Sequence, residues 1–494
     1  LTVSTDYSVY QPPGVTITED ITPVLSPSGV AATVVALVGP GVGYKSSQDQ
    51  ITLNDTTPVQ LRRYGIIPAS ISVTDVAGNV IDPSNYTITV AAGADGNIGN
   101  TQDNTTTIVR NGSGIPTGSI VYVNYHYQDA AYFTPSTVSD LPSVVSLYGP
   151  PIDPATGNIL SPISMAAQLA FLNGASTLVC VATPTPSAGS PVVQADLQAA
   201  YAKIASVYAI NVVVPLPVGV GDSANLAFAQ DLKNHVATCN ADGRYRIGIY
   251  GSDLSVTASP DTQLAAPLSY DHVIVDSINQ VNYYDNVSNS YKTMSGFYHA
   301  AAMAGKLSSQ APQVPLTRKT ITGFSGLPNT LSTAQKNTLA QGGVTVSEID
   351  RLGRLVIRQG RTTDSSNIMT REVSMVRAKD ALVIMLQTGV DSAAMIGTPI
   401  DTTTPITIKG LVSGILEAAV ASGLIQGYTG LQARQQIYPN GDPTIIEVQF
   451  AYQPTFPLNY INVSFTVDLS NGTSSVTTTA TNTSGTGTST SSSR

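Results

Sequence analysis

Between Leu160 and Leu307 the chain alternates helical and strand-like segments, and that alternation sets the fold class. Leu160–Asn173 (LSPISMAAQLAFLN) opens with Ser161 as a helix cap and Pro162 at the first helical position, where its missing N–H costs nothing. Gly174 ends it. Thr177–Ala182 (TLVCVA) is a short unbroken apolar run, the pattern of a buried strand. The theme repeats. Helix Val192–Val207 precedes strand Asn211–Pro215, helix Ala224–Ala237 precedes Arg244–Tyr250, and strand His272–Asp276 precedes helix Gly296–Leu307. A sheet with helices on its faces follows, which is an α/β domain. Upstream, Val30–Val38 (VAATVVALV) stops at Gly39-Pro40-Gly41 and reads as a buried strand that takes its neighbours from later in the chain.

The flanking segments differ. Residues 51–128 are dense in Thr, Asn, Asp and Gly, with strand runs at Ile71–Thr74, Tyr86–Val90, Thr106–Arg110 and Ile120–Tyr127. Ala77-Gly78-Asn79 and Asn111-Gly112-Ser113-Gly114 separate them, so a small all-β insertion of about 75 residues is expected, a sandwich or barrel. Further on, a short helix (Leu331–Ala340), two paired strands (Val344–Ile349, Arg354–Ile357) and two amphipathic helices (Arg371–Leu386, Ile406–Ala421) are expected. The chain closes with two alternating runs, Ile445–Tyr452 and Tyr460–Leu469, split by the proline-bearing bend Gln453–Pro457. Near the start, Pro12, Pro13 and Gly14 exclude helix, and Val15 and Ile17 alternate with Thr16 and Thr18. Strand-like ends need partners, because an unpaired edge exposes backbone donors and acceptors. Two such ends on one chain suggest a subunit that joins its neighbours by exchanging strands. Residues 470–494, almost wholly Ser, Thr, Asn and Gly, cannot bury enough apolar surface to order, so a disordered tail is expected.

The expected organisation is therefore α/β (α+β) and multidomain. It comprises an extended arm (1–22), the first part of the core (23–50), an inserted all-β domain (51–130), an α/β domain (131–310), a C-terminal core α/β domain (311–442), C-terminal strands (443–469) and the tail (470–494).

Catalytic chemistry is hard to place on this chain. It has four histidines, His126, His235, His272 and His299, none paired at metal-ligand spacing, and each is expected to be structural or exposed. No G-x-S-x-G elbow occurs; Gly323-Phe324-Ser325-Gly326 has the wrong glycine spacing. Ala304-Gly305-Lys306-Leu307 lacks the Ser or Thr of a phosphate loop, and Gly39-Pro40-Gly41-Val42-Gly43 reads as a strand-to-strand connection rather than a dinucleotide fingerprint. Ala94-Asp95-Gly96-Asn97 gives no calcium ladder. Cys180 and Cys239 read as buried free thiols. No catalytic residue, metal or cofactor is expected, and the chain is not expected to be an enzyme. The net charge of −9 argues against a broad nucleic-acid face, and charged residues are only 11%, which suits a subunit that buries much of its surface against others. No signal peptide or membrane span is expected; Ile408–Ile425 carries Lys409 and Glu417 and reads as a packed helix. Tyr122, Tyr125 and Tyr127 on one run read either as strand packing or as a contact surface.

Several segments together resemble one family. Gln11-Pro12-Pro13-Gly14-Val15-Thr16-Ile17-Thr18-Glu19 resembles the P-G-V-x-x-x-E opening of contractile bacteriophage tail sheath proteins, kin to pyocin and type VI secretion sheaths. Val144–Tyr148, Gly149-Pro150-Pro151, Leu160–Asn173 and Gly174–Cys180 resemble that family's central passage, with Ala175 where a second glycine is common. Residues 331–386 follow its order of short helix, β pair and long helix, with Gly360-Arg361-Thr362-Thr363 near its small-residue turn, and Ile445–Leu469 fits its paired terminal strands. The resemblance implies stacked rings of a homo-oligomer around an inner tail tube, with baseplate and tail terminator proteins as further partners. It implies a location in the virion tail after assembly in the host cytoplasm, with no direct nucleic-acid binding and no membrane insertion. It implies an intersubunit strand mesh, for which Val15, Ile17, Ile445, Val448, Phe450, Ile461, Val463 and Phe465 are the expected residues. The C-terminal domain would face the tube, with Arg371, Arg377, Lys379 and Lys409 as contacts, and the all-β insertion would lie outside. The rival expectation is another self-assembling protein of S-layer type, which would carry a secretion signal and few α/β alternations.

Overall fold

The computed structural model describes residues 33–91, 105–128, 130–184, 192–255, 257–393, 395–437, 441–461 and 464. Strand β1 (Val34–Pro40) is buried along nearly its whole length. The Gly39–Gly43 turn leads from it into β2 (Lys45–Leu53), β3 (Val59–Gln60), β4 (Ser72–Thr74), β5 (Tyr86–Ala91), β6 (Thr105–Arg110) and β7 (Ser119–Tyr127). These make two antiparallel three-stranded sheets, β2-β7-β4 and β3-β6-β5. Leu53, Leu61, Val73, Ile108, Val123 and Tyr125 belong to a hydrophobic cluster of their own. The first strand starts at Lys45, six residues before the expected β segment. Its opening KSSQDQ carries no apolar alternation, yet it pairs with β7 residue for residue from Lys45↔Tyr127 to Leu53↔Ser119. Backbone pairing, not side-chain pattern, makes it a strand.

The chain then returns to build around β1. In order come β8 (Ser136–Val138), α1 (Leu141–Tyr148), α2 (Pro162–Leu172), β9 (Leu178–Thr183), α3 (Gln194–Ala205), β10 (Ile210–Pro215), α4 (Asp222–Ala241), β11 (Ile247–Tyr250), α5 (Ala266–Leu268) and β12 (Val273–Asp276). The hairpin β13 (Gln280–Asp285) and β14 (Ser290–Ser295), α6 (Gly296–Ser308), α7 (Thr333–Gln341), β15 (Val344–Ile349) and β16 (Leu355–Gln359) follow. Eight strands form one sheet in the order β16-β15-β12-β11-β10-β1-β9-β8. It is parallel from β15 to β9 and antiparallel at both margins. The expected alternation is borne out here, with β1 seated between β9 and β10 from later in the chain. Ser161 caps α2 by accepting from the Ser164 amide, Pro162 is its first residue, and Gly174 follows at φ +103°.

In α/β sheets of this kind ligands bind beyond the strand ends where the order reverses, which here is the end of β1. That place is filled by packing. A Cβ on Gly43 would lie 1.9 Å from the Leu147 carbonyl oxygen of α1, and one on Gly41 would meet the Tyr132 hydroxyl at 2.9 Å. These glycines let the chain pass close under α1; they cradle no phosphate.

After β16 the chain forms α8 (Ile368–Arg371), α9 (Val373–Ser392), α10 (Thr404–Ala421), β17 (Gly427–Gln435) and β18 (Ile446–Gln453). Helix α9, about 30 Å long, belongs to two cores. Val373 and Val376 join the main core, whereas Ala378, Leu382 and Leu386 join a separate cluster with Val412, Leu416 and Ala419 of α10. The β17–β18 hairpin packs on that cluster through Leu431, Val448 and Phe450.

The strand expected at Ile445–Tyr452 therefore exists, but its partner is β17 and not the run Tyr460–Leu469. Gly430 (φ +67°) makes a bulge between Thr429 and Gln432, which breaks the period of two in GYTGLQARQ and hid this strand from the pattern. Of the second run, Tyr460, Ile461 and Ser464 are described and are not in a strand. The rest, with the arm 1–22 and the tail 470–494, lies outside the described residues.

Candidate assembly surfaces

The ionisable side chains of the main body are occupied in holding it together. His272, just before β12, sits between two carboxylates, with Nδ1 2.6 Å from Asp271 Oδ1 and Nε2 3.1 Å from both oxygens of Asp380 on α9. Burial opposes its charge, but the two carboxylates outweigh burial and hold it up at about 9. His299 on α6 is fully buried and pairs with Asp276 at the end of β12. His235 lies 3.0 Å from Arg246 NH1, and burial together with that cation pulls it down to about 4. His126 stacks on Tyr44. Among the described residues no group of three or more His, Cys, Asp or Glu side chains could hold a metal. Cys180 and Cys239 are buried and free, and burial pushes the Cys180 thiol up to about 12. Tyr125 and Tyr127 are buried in the β unit, so strand packing accounts for them.

The four basic candidates separate. Arg377 is a correction: it points inward, is 6% exposed, and donates to Thr33 Oγ1 (3.1 Å) and the Gln310 carbonyl (3.0 Å). Burial draws its pKa down to about 10. It sits on the turn of α9 that enters the main core, and a cation there reads from sequence like one on a solvated face. Lys379 is half-buried, with Nζ 3.6 Å from Asp271 Oδ2. Arg371 is half-buried at the end of α8, and Lys409 is exposed on α10.

The C-terminal unit presents two surfaces that the described residues leave uncovered. The first is the hairpin. At one edge of the eight-stranded sheet Arg318–Ile321 runs along β16, with Arg318 N to Ile357 O at 2.7 Å and Ile321 N to Leu355 O at 2.9 Å, and at the other edge β8 is only three residues long. By contrast β17 and β18 pair with each other and with no other strand among the described residues. Such a two-stranded sheet is marginal without further strands or a packed face. Of the expected mesh residues, Val448 and Phe450 turn their side chains to this chain's own α10 cluster. Ile445 precedes β18 and accepts from the Gln436 amide, and Ile461 is 74% exposed. Val15, Ile17, Val463 and Phe465 lie outside the described residues.

The second surface is an apolar groove of about 650 Å³ between α9 and α10, lined by Ile384, Met385, Gly389, Leu411, Gly414 and Ile415. Helix α10 is long and apolar enough to cross a membrane, but Val412, Leu416 and Ala419 pack it within the C-terminal cluster.

No family model matches the sequence. The tail sheath protein of Mycobacterium phage Bxz1 is 34% identical over 396 residues, which is 79% of this chain and 66%, just under two thirds, of that protein. The helical sheath of the anti-feeding prophage in its contracted state has a TM-score of 0.54 at 14% identity, covering 93% of this chain and 100% of that one. The PVC sheath complex of an extracellular contractile injection system, also contracted, has a TM-score of 0.52 at 13% identity, covering 93% and 99%. The fold is thus that of contractile sheaths. In sequence, the chain is similar to a tail sheath protein.

Proposed function

We propose that this chain polymerises as a helical stack of rings around an inner tail tube and contracts to drive the tube through the host envelope during genome delivery. The observation that carries this reading is the β17–β18 hairpin, whose strands pair with no third strand among the described residues, whereas the β16 edge of the main sheet is covered by Arg318–Ile321. Strand-like segments at both chain ends would fill those edges on neighbouring copies, with Val15, Ile17, Ile461, Val463 and Phe465 on the incoming strands and β18 receiving. Four or five backbone hydrogen bonds per arm contribute about 2–7 kcal/mol, which becomes a continuous linkage when every subunit repeats it. An arm of about 20 residues reaches up to about 65 Å, so bodies can move while links hold.

The energy of contraction resides in the assembly, with extended rings metastable against a compressed form that buries more interface. The C-terminal unit faces the tube, with the α9–α10 groove as the apolar contact and Lys409, Lys379 and Arg371 as ionic ones. The β unit inserted after β1, spanning roughly the segment 51–130, lies on the outside. Baseplate and terminator proteins bound the stack, which assembles in the host cytoplasm.

The test is removal of residues 1–20. The truncated chain should stay folded by circular dichroism but form no contractile sheath in negative-stain images. Normal assembly and contraction would sink the strand-exchange reading.

A further inference from the structure

The β unit turns two sheet faces outward, and they differ in chemistry. On β5 and β6 the outward residues are short, with Thr87 and Thr89 opposite Val109 and Thr107. On the β2-β7-β4 sheet the outward row runs from the pair Ser46↔His126 through Gln48↔Asn124 to Gln50↔Tyr122. Strand β4 adds Ser72 and Thr74 beside Asn124 and Tyr122. No outward side chain on these three strands is charged. Arg62, along the β2 edge, is paired with the buried Asp49. Unlike Tyr125 and Tyr127, Tyr122 stands on this outward face, half-buried.

The rings on this face are held in place. Tyr44 stacks on His126 with centroids 3.8 Å apart and planes 11° from parallel, and at 55% exposure its other face is open. Tyr122 lies four residues from His126 along β7, about 14 Å away. Between them the amides are held as well, because Gln48 Nε2 donates to Asn124 Oδ1 at 2.7 Å. That leaves Gln48 Oε1 as an acceptor and Asn124 Nδ2 as a donor, side by side and with no other partner among the described residues.

Ring faces pack against C–H surfaces, and amides beside them meet hydroxyls, each of which both donates and accepts. A sugar carries both, with C–H groups on its ring face and hydroxyls around its rim. An uncharged face provides no field to draw an ion or a nucleic acid, so the matching sugar is neutral. The face is also too small for a second copy to rest on alone. It is about 30 Å long and about 14 Å wide, at most about 430 Å², whereas a stable protein interface takes about 800 Å² from each partner. Long and narrow, it suits an extended chain lying along β7. We propose that the outward face of the β2-β7-β4 sheet binds a neutral polysaccharide of the host envelope. The binding chemistry rests on the face alone; the host envelope as its source rests on the outward placement of the β unit proposed above.

Full-length chain fixed to a biolayer sensor tests the face. The probes are dextran, mannan, galactan and a β-glucan, all uncharged, with dextran sulfate as the anionic control. Saturable binding of at least one uncharged polymer is expected, with weaker or no binding of dextran sulfate. Tyr122→Ala and the double change Gln48→Ala/Gln50→Ala should each weaken that binding at least tenfold, and Thr89→Ala on the other sheet should leave it unchanged. Gln48 and Gln50 are exposed, so the double variant keeps the fold where loss of Tyr122 disturbs it. Binding of none of the four polymers, stronger binding of dextran sulfate, or binding that these changes leave intact overturns the proposal. So does a loss of sheath yield with polysaccharide binding untouched, which assigns the face to a second copy. Assembled sheaths are then pelleted with the polymer that bound, labelled with fluorescein, and co-sedimentation is expected. Binding by the fixed chain without co-sedimentation overturns the host-envelope source and the outward placement together, and leaves strand exchange standing.

Discussion

Raising the pH should loosen the seam between the main sheet and α9, because His272 is held there between two carboxylates. Burial works against the imidazolium, yet Asp380 and Asp271 raise its pKa from 6.5 to about 9. A group whose pKa is raised on folding contributes its full stabilisation below the unfolded value, near 6.5. That contribution fades as pH rises and is gone above about 9. The difference of about 2.5 units corresponds to at most about 3 kcal/mol, with a slope approaching about 1.4 kcal/mol per pH unit between pH 7 and 9. Lys379 and Arg377 lie near the same carboxylates, and Arg377, drawn down to about 10, stays charged across most of that window, so it blunts the loss without reversing it. Urea unfolding followed by far-ultraviolet circular dichroism at pH 6, 7, 8, 9 and 10 measures the slope. In His272→Gln the titrating group is gone, and the curve between pH 7 and 9 should be nearly flat at a lower overall stability. If the two chains lose stability in parallel across that window, the His272 account is wrong.

Two further perturbations test how the bodies are built. Arg246 is fully buried and donates through NH2 to the carbonyls of Ile204, Ala205 and Val207, closing the C-terminal end of α3. Arg246→Met should cost about 3–5 kcal/mol in urea unfolding, since those carbonyls and His235 lose a buried donor together. Leu416 is fully buried in the C-terminal cluster, so Leu416→Ala should cost about 2–5 kcal/mol there. Hydrogen exchange should show the loss in α10 and β18 while β10 and β11 keep their protection.

Much of the main body is legible in the sequence because its strands are buried on both faces and its helices begin at recognisable caps. Ser161-Pro162 and the run Leu178–Thr183 are of that kind. What escapes is structure made by backbone alone. Strand β2 carries a polar sequence and is a strand because β7 lies beside it; β17 is interrupted by its bulge. The candidate interface is harder still to read. Val448 and Phe450 are apolar because they are covered, and alternation records the covering without recording by which copy. Arg377 shows the converse: a cation on an amphipathic helix is ordinarily solvated, and only the packing of α9 into the body reveals its inward course.

The division of α9 between two cores bears on how such a subunit could transmit motion. Because its first turns are fixed in the main core and its later turns in the C-terminal cluster, the helix is a rigid strut. Bending it between Val376 and Ala378 would break a continuous hydrogen-bond ladder beside a buried ion network. In the proposed sheath the C-terminal unit would therefore follow the body when a ring turns. Displacement between neighbouring copies then falls between the bodies, on the segments proposed to reach across. In the proposed sheath those same segments carry the links. Their backbone pairing is indifferent to the distance between bodies so long as the slack suffices, whereas side-chain contacts between bodies are not. A lattice joined by edge pairing can therefore change its spacing without coming apart, and the surfaces that rearrange are free to set the direction in which it does so.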